Sequence, residues 1–154
     1  MTEFPRKGLS PQGFRLRDNP GMDMHRLVHH LRTALPGLMA VYAFGSRVRE
    51  QGRNARADSD LDLAVLVEGY ADPVALFDLA GTLADLTNCP VDLLDLRAAS
   101  TVMQYQILMT GERLWAKDHQ ASLFEAAMLT EKLHLDAARA ALLEDVRRRG
   151  HVHG

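Results

Sequence analysis

Apolar and polar positions along this chain follow two different periods, and the switches between them mark its elements. Met24–Ala34 (MHRLVHHLRTA) places Leu27, Val28 and Leu31 at helical spacing, and Pro36-Gly37 ends that helix. Leu38–Phe44 is a short apolar run with β-branched and aromatic members, which predicts a buried strand. Residues 45–58 read as loop, with room for one helical turn. Residues 59–67 (SDLDLAVLV) form the strongest strand signal in the chain. Asp72-Pro73 then starts a helix, Asp as N-cap and Pro at the first helical position, and the apolar face from Leu76 to Leu86 carries it to about Asn88. Residues 90–96 (PVDLLDL) predict a third strand. TVMQYQILMT predicts a helix closed by Gly111 as a C-terminal glycine, and GERLWAK a short strand. Residues 120–149 read as one long helix, with Leu123, Phe124, Met128, Leu135, Leu142 and Val146 along one side and Arg147–Arg149 at its end.

This order predicts an α/β fold, a small mixed β-sheet flanked by helices. The helix between strands 59–67 and 90–96 is a crossover, so those two strands run parallel and start at the same edge of the sheet. The chain has 154 residues, enough for one domain with a usable core. We expect residues 1–21 to be a mobile tail and residues 22–150 a single domain, with Met1, Met22 and Met24 as possible starts. A formal charge of −2 offers no general attraction to nucleic acid or anionic membranes. One cysteine, Cys89, excludes an internal disulfide, and no apolar run approaches a membrane span; the expected location is the cytoplasm.

The parallel pair gives three acids a common purpose. Asp60 and Asp62 are separated by one residue at a strand start, so both point to one face, while Leu61, Leu63, Val65 and Val67 point to the other. Two carboxylates within roughly 7 Å of each other repel unless a cation compensates, and Mg²⁺ prefers carboxylate oxygens. Asp92 starts the parallel strand at the same edge. Asp95 lies about 10 Å further along and on the opposite face, so Asp92 is the expected third acid. Gly45-Ser46 ends the preceding strand: the glycine lets backbone approach a ligand, and the Ser46 hydroxyl and following N–H groups can donate to phosphate. Arg47 and Arg49 are candidates to neutralise phosphate charge. Asp60, Asp62 and Asp92 with one or two Mg²⁺, facing that turn, describe a phosphoryl- or nucleotidyl-transfer site.

Phe44-Gly45-Ser46, then Asp60-Leu61-Asp62 on a strand, then Asp92 on a later strand, resembles the nucleotidyltransferase superfamily that includes DNA polymerase β. The run ARADSDLDLAVLV and the stretch VDLLDLRAASTVMQYQILMTGERLW resemble its minimal nucleotidyltransferase (MNT) group. The resemblance covers about residues 24–130 and implies the polymerase β-like fold and an ATP-using, Mg²⁺-dependent adenylyltransferase. It further implies an antitoxin paired with a HEPN-domain ribonuclease toxin, silenced by transfer of AMP to a tyrosine hydroxyl. Thirteen residues, 47–59, separate Ser46 from Asp60, longer than the minimal pattern. Two alternatives remain: a non-catalytic antitoxin that acts by binding, and a small-molecule (aminoglycoside-type) nucleotidyltransferase. His29-His30 and the His151/His153 tail read as surface residues, Cys89 as a core residue, and Trp115 and Tyr105 as packing residues. The apolar side of helix 120–149 reads first as packing on its own sheet, then as a dock for a helical partner.

Overall fold

The computed structural model describes residues 23–49 and 60–150; of Arg49 it describes the backbone only. Five helices and four strands follow in the order α1 (Met24–Ala34), β1 (Leu38–Phe44), α2 (Ser46–Arg49), β2 (Leu61–Val67), α3 (Pro73–Thr87), β3 (Val91–Asp95), α4 (Thr101–Thr110), β4 (Glu112–Ala116) and α5 (Gln120–Arg148). The strands form one mixed sheet of order β3-β2-β1-β4. β1 is antiparallel to both β2 and β4, and β2 runs parallel to β3.

Local chemistry explains the boundaries. The Asp23 side chain accepts from the Arg26 N–H at the start of α1, and Asp72 does the same for Val74 at the start of α3. Asn88 ends α3 in the left-handed conformation (φ 54°), which a short polar side chain tolerates. Gly111 ends α4 as expected: it is the C-cap, its N–H donating to the Ile107 carbonyl, with extended backbone (φ −85°, ψ 178°). Close packing explains the glycine: a Cβ there would stand 2.7 Å from the Ala43 carbonyl oxygen and collide with the Ile107 carbonyl.

The sheet separates two apolar layers. Val41, Leu61, Leu63, Val65 and Val67 pack with Leu27 and Leu31 of α1 and Leu76, Leu79 and Leu83 of α3. Ala40, Tyr42, Ala64 and Leu66 pack with Ile107 and Leu108 of α4 and Ala121 of α5. Cys89 is buried in the first layer and unbridged, as expected. Strand β2 starts at Leu61, so Asp60 stands just before it.

The α5 stripe differs most from expectation. Ala121, Phe124 and Met128 pack on the sheet, but Leu123 and Leu142 are each 62% exposed. The buried polar anchor is Glu125, which the apolar pattern did not mark. Its Oε2 accepts from the Tyr42 hydroxyl (2.8 Å) and from Arg113 Nη1 (2.9 Å), tying α5 to β1 and β4. Burial, and then the Glu125 charge, push the Tyr42 phenol well above its ordinary range.

Tyr42→Phe removes one donor from a buried carboxylate and is expected to cost about 1–2 kcal/mol in denaturant unfolding. The pH dependence has a definite sign. The folded state keeps the Tyr42 proton that the unfolded chain releases above about pH 10, so stability falls as pH rises past that point, and Tyr42→Phe flattens this part of the profile.

Candidate active site

The candidate site lies where β1 ends and β2 and β3 begin. Phe44 is paired across the sheet with Asp62, and Asp62 with Asp92 in the parallel ladder. Paired residues share a face, so Asp62 and Asp92 project side by side, on the side that carries α4 and α5. The Leu61 N–H donates to the Pro90 carbonyl (2.8 Å), which fixes the level at which both strands start. Asp60 precedes Leu61 and is exposed, Asp62 is half-buried, and Asp92 is exposed.

Gly45 turns the chain away from β1 with φ +83°, and a Cβ built on it would run into the Asp62 carboxylate, with Cγ at 3.1 Å and Cβ at 3.3 Å. Two requirements therefore converge on one residue: a left-handed backbone and close approach to an acid. Ser46 opens α2, and the Val48 N–H already donates to the Gly45 carbonyl (3.2 Å). The backbone of the Gly-Ser turn is thus held directly against Asp62.

The donor set suits a hard divalent cation: carboxylates only, from two adjacent strands, on one face. Among the described residues, no group of three or more His, Cys, Asp or Glu stands as a formed cation site. Shared register brings the backbones of Asp62 and Asp92 together, and final convergence of the three carboxylates requires rotation about χ1. Asp60, exposed at the loop–strand junction, has room for it.

The other expected residues fall out differently. Arg47 is only 8% exposed, so α2 draws it into the protein body. The Arg49 side chain and the loop 50–59 lie outside the described residues, as do residues 1–22 and His151/His153. Asp95 is buried and structural: its Oδ2 accepts from the Ala71 N–H (2.8 Å) and its Oδ1 from the Arg97 N–H (3.0 Å), closing the loop into α3. Arg97 reinforces that end, donating to the Gly69 (2.9 Å) and Val67 (3.2 Å) carbonyls. Trp115 packs against the α1 layer, and Lys132 Nζ lies 4.9 Å from the Tyr105 ring centre. His29 is exposed and His30 half-buried, as surface residues should be.

Comparison with known proteins decides what this arrangement is. The family model described as "Polymerase beta, Nucleotidyltransferase" matches residues 28–120, from α1 through β4 and into α5. The chain belongs to this nucleotidyltransferase family. Within it, the chain is 37% identical over 125 residues to the protein adenylyltransferase MntA of Shewanella oneidensis, covering 81% of this chain and 88% of that protein. Two solved structures of the same kind superpose on it. One is a toxin–antitoxin complex with AMP-PNP, 36% identical, TM-score 0.69, covering 82% of this chain and 99% of that one. The other is a tri-AMPylated Shewanella oneidensis HEPN toxin in complex with an MNT antitoxin, 34% identical, TM-score 0.64, covering 80% and 94%. The polymerase β-like mixed sheet expected from the motifs is the observed fold, and nucleotidyl transfer is the chemistry of the family.

Gly45→Ala is expected to cost roughly 1–2 kcal/mol for the left-handed backbone alone, a fall of several degrees in Tm, with displacement of Asp62 adding to it. The two β3 acids separate by stability: Asp95→Asn removes an acceptor from a buried N–H and costs about 1–3 kcal/mol, whereas Asp92→Asn at an exposed position stays within about 0.5 kcal/mol. Thermal melts of the three variants check all of this.

Proposed function

We propose that this protein is an antitoxin-type protein adenylyltransferase that transfers AMP from ATP to a tyrosine hydroxyl of a cognate HEPN toxin. The observation that carries the reading is the contact between the Gly45 turn and Asp62, with Asp92 beside Asp62 in register. It joins a phosphate-binding turn to paired carboxylates in one place. Relatives named as an adenylyltransferase, and as antitoxins in complex with an AMPylated HEPN toxin, supply the acceptor.

In this mechanism the Ser46 hydroxyl and the N–H groups at the start of α2 receive the ATP phosphates. Gly45 carries no side chain, which lets the Asp62 carboxylate stand directly against that turn. Asp60, Asp62 and Asp92 would hold Mg²⁺, which would supply neutralisation of phosphate charge and a lowered pKa for the attacking hydroxyl. The tyrosine oxygen bonds to the α-phosphorus, the bond from that phosphorus to the β-phosphate bridging oxygen breaks, and pyrophosphate departs. Asp92, the most open of the paired acids, accepts the phenolic proton. Arg47 and Arg49 are the candidates to neutralise phosphate charge. No described helix is long and apolar enough to cross a membrane.

The test is intact-mass spectrometry of the cognate HEPN toxin after incubation with this protein, ATP and Mg²⁺. The toxin is expected to gain one or more AMP units, and Asp60→Ala and Asp62→Ala to abolish the gain while leaving the thermal melt intact. An unmodified, folded toxin in the presence of wild-type protein overturns the reading. Full neutralisation of the toxin by both Asp variants would instead establish inhibition by binding, a role for which the exposed Leu133, Leu142 and Leu143 of α5 are available.

A further inference from the structure

At the far end of β1, roughly 20 Å along the strand from Gly45, lies a second cavity of about 430 Å³. It opens between the C-terminal end of α1 and the end of β4. His29, Arg32 and Thr33 line it from α1, Leu38 from the start of β1, and Trp115 and Lys117 from β4 and its exit. Its size is that of a small-molecule site.

The charges around it are all of one sign. His29, Arg32 and Lys117 contribute basic groups, and the lining contains no Asp or Glu. α1 itself, MHRLVHHLRTA, has three histidines and two arginines and no acid. Elsewhere four described cations are matched: Arg113 to Glu125, Lys132 to Asp136, Arg147 to Glu144 and Arg149 to Asp145. At this cavity no carboxylate among the described residues pairs with Arg32 or Lys117. The negative end of the α1 dipole accounts for Arg32, in its last turn, but not for Lys117, which comes from another element.

The cavity also has a planar wall. The Arg32 guanidinium lies 4.7 Å from the Trp115 ring centre, so the two groups form a stack at the cavity edge. A guanidinium over an aromatic ring can still donate its N–H groups to an oxyanion and offer a planar face to a second ring. Lys117 is fixed beside it, because its N–H donates to the Met39 carbonyl (2.8 Å) and continues the sheet pairing. Phosphate suits the cations, and a heteroaromatic ring suits the stacked plane.

We propose that this cavity is a second nucleotide-binding site, separate from the catalytic edge, which takes a phosphate on Arg32 and Lys117 and a base against the Arg32–Trp115 stack. The ligand is either a free mononucleotide or the terminal nucleotide of an RNA strand, which share this chemistry. Catalytic chemistry is absent from the cavity, so its role is binding. The inference stands whether or not the adenylyl-transfer reading does, since none of its residues belongs to the Gly45–Asp92 site.

Trp115 is the only tryptophan in the chain, so its emission reports this cavity alone. The experiment titrates the full chain with AMP, exciting on the red edge of the tryptophan band, with adenosine, pyrophosphate and a short oligoribonucleotide as parallel arms. AMP is expected to change Trp115 emission saturably. Pyrophosphate is expected to compete with it, and adenosine to bind at least tenfold more weakly. The Arg32→Ala/Lys117→Ala variant, altered only at exposed positions, is expected to lose at least tenfold in AMP affinity with an unchanged melt. A titration in Asp60→Ala/Asp62→Ala protein is expected to match wild type. Tighter binding by the oligoribonucleotide than by AMP assigns the RNA source, and the reverse assigns the free nucleotide. No saturable change with either ligand, undiminished affinity in Arg32→Ala/Lys117→Ala, or loss of the signal in the Asp60/Asp62 variant overturns the proposal.

Discussion

The site depends on a contact between a backbone and a carboxylate. Gly45 has no side chain, and the space a Cβ would occupy is taken by Asp62. This contact fixes the distance between the Gly45-Ser46 turn and the Asp62 carboxylate. Nucleotidyl transfer needs that distance held before the substrate arrives, because positioning and charge stabilisation supply nearly all of the catalysis. The surrounding fold serves it: β1 and β2 run antiparallel so that the end of one meets the beginning of the other, and the α3 crossover returns β3 parallel to β2 so that Asp92 begins level with Asp62.

The two ends of the sheet divide the work. At one end lie the acids, exposed or half-exposed and held by register. At the other lie Asp95 and Arg97, whose polar groups are spent on the Ala71, Arg97, Gly69 and Val67 backbone. Two aspartates three residues apart on one strand thus have opposite fates. One faces solvent on the side of α4 and α5; the other is buried and closes a loop.

Much of this was legible in the sequence because it rests on periodicity. Alternation along Leu61–Val67 put Asp62 opposite the apolar layer, and the crossover made β2 and β3 parallel; together these selected Asp92 over Asp95. The caps at Asp72 and Asn88 are local and equally readable. Contacts between distant segments were not. Glu125 lies in a helix whose neighbours suggest an apolar seam, and only the arrival of Tyr42 and Arg113 from the sheet explains a buried acid there. Gly111 caps α4 as its position suggests, but the requirement for glycine there comes from the distant Ala43 carbonyl. Arg47, adjacent to the Gly-Ser turn, reads as a phosphate candidate from the sequence, but its burial to 8% exposure on the short α2 was not legible there.

The position of β3 in the sheet has a consequence for how the molecule opens. It is a five-residue edge strand, paired on one side only, and it carries Asp92. Edge segments separate from a sheet at lower free energy than its centre, so local opening reaches β3 before it reaches β1 or β2. Asp60, Asp62 and Gly45 sit on or beside the two central strands. Asp92 therefore sits on the part of the sheet that opens most readily, and its alignment with Asp62 has a shorter lifetime than the folded protein.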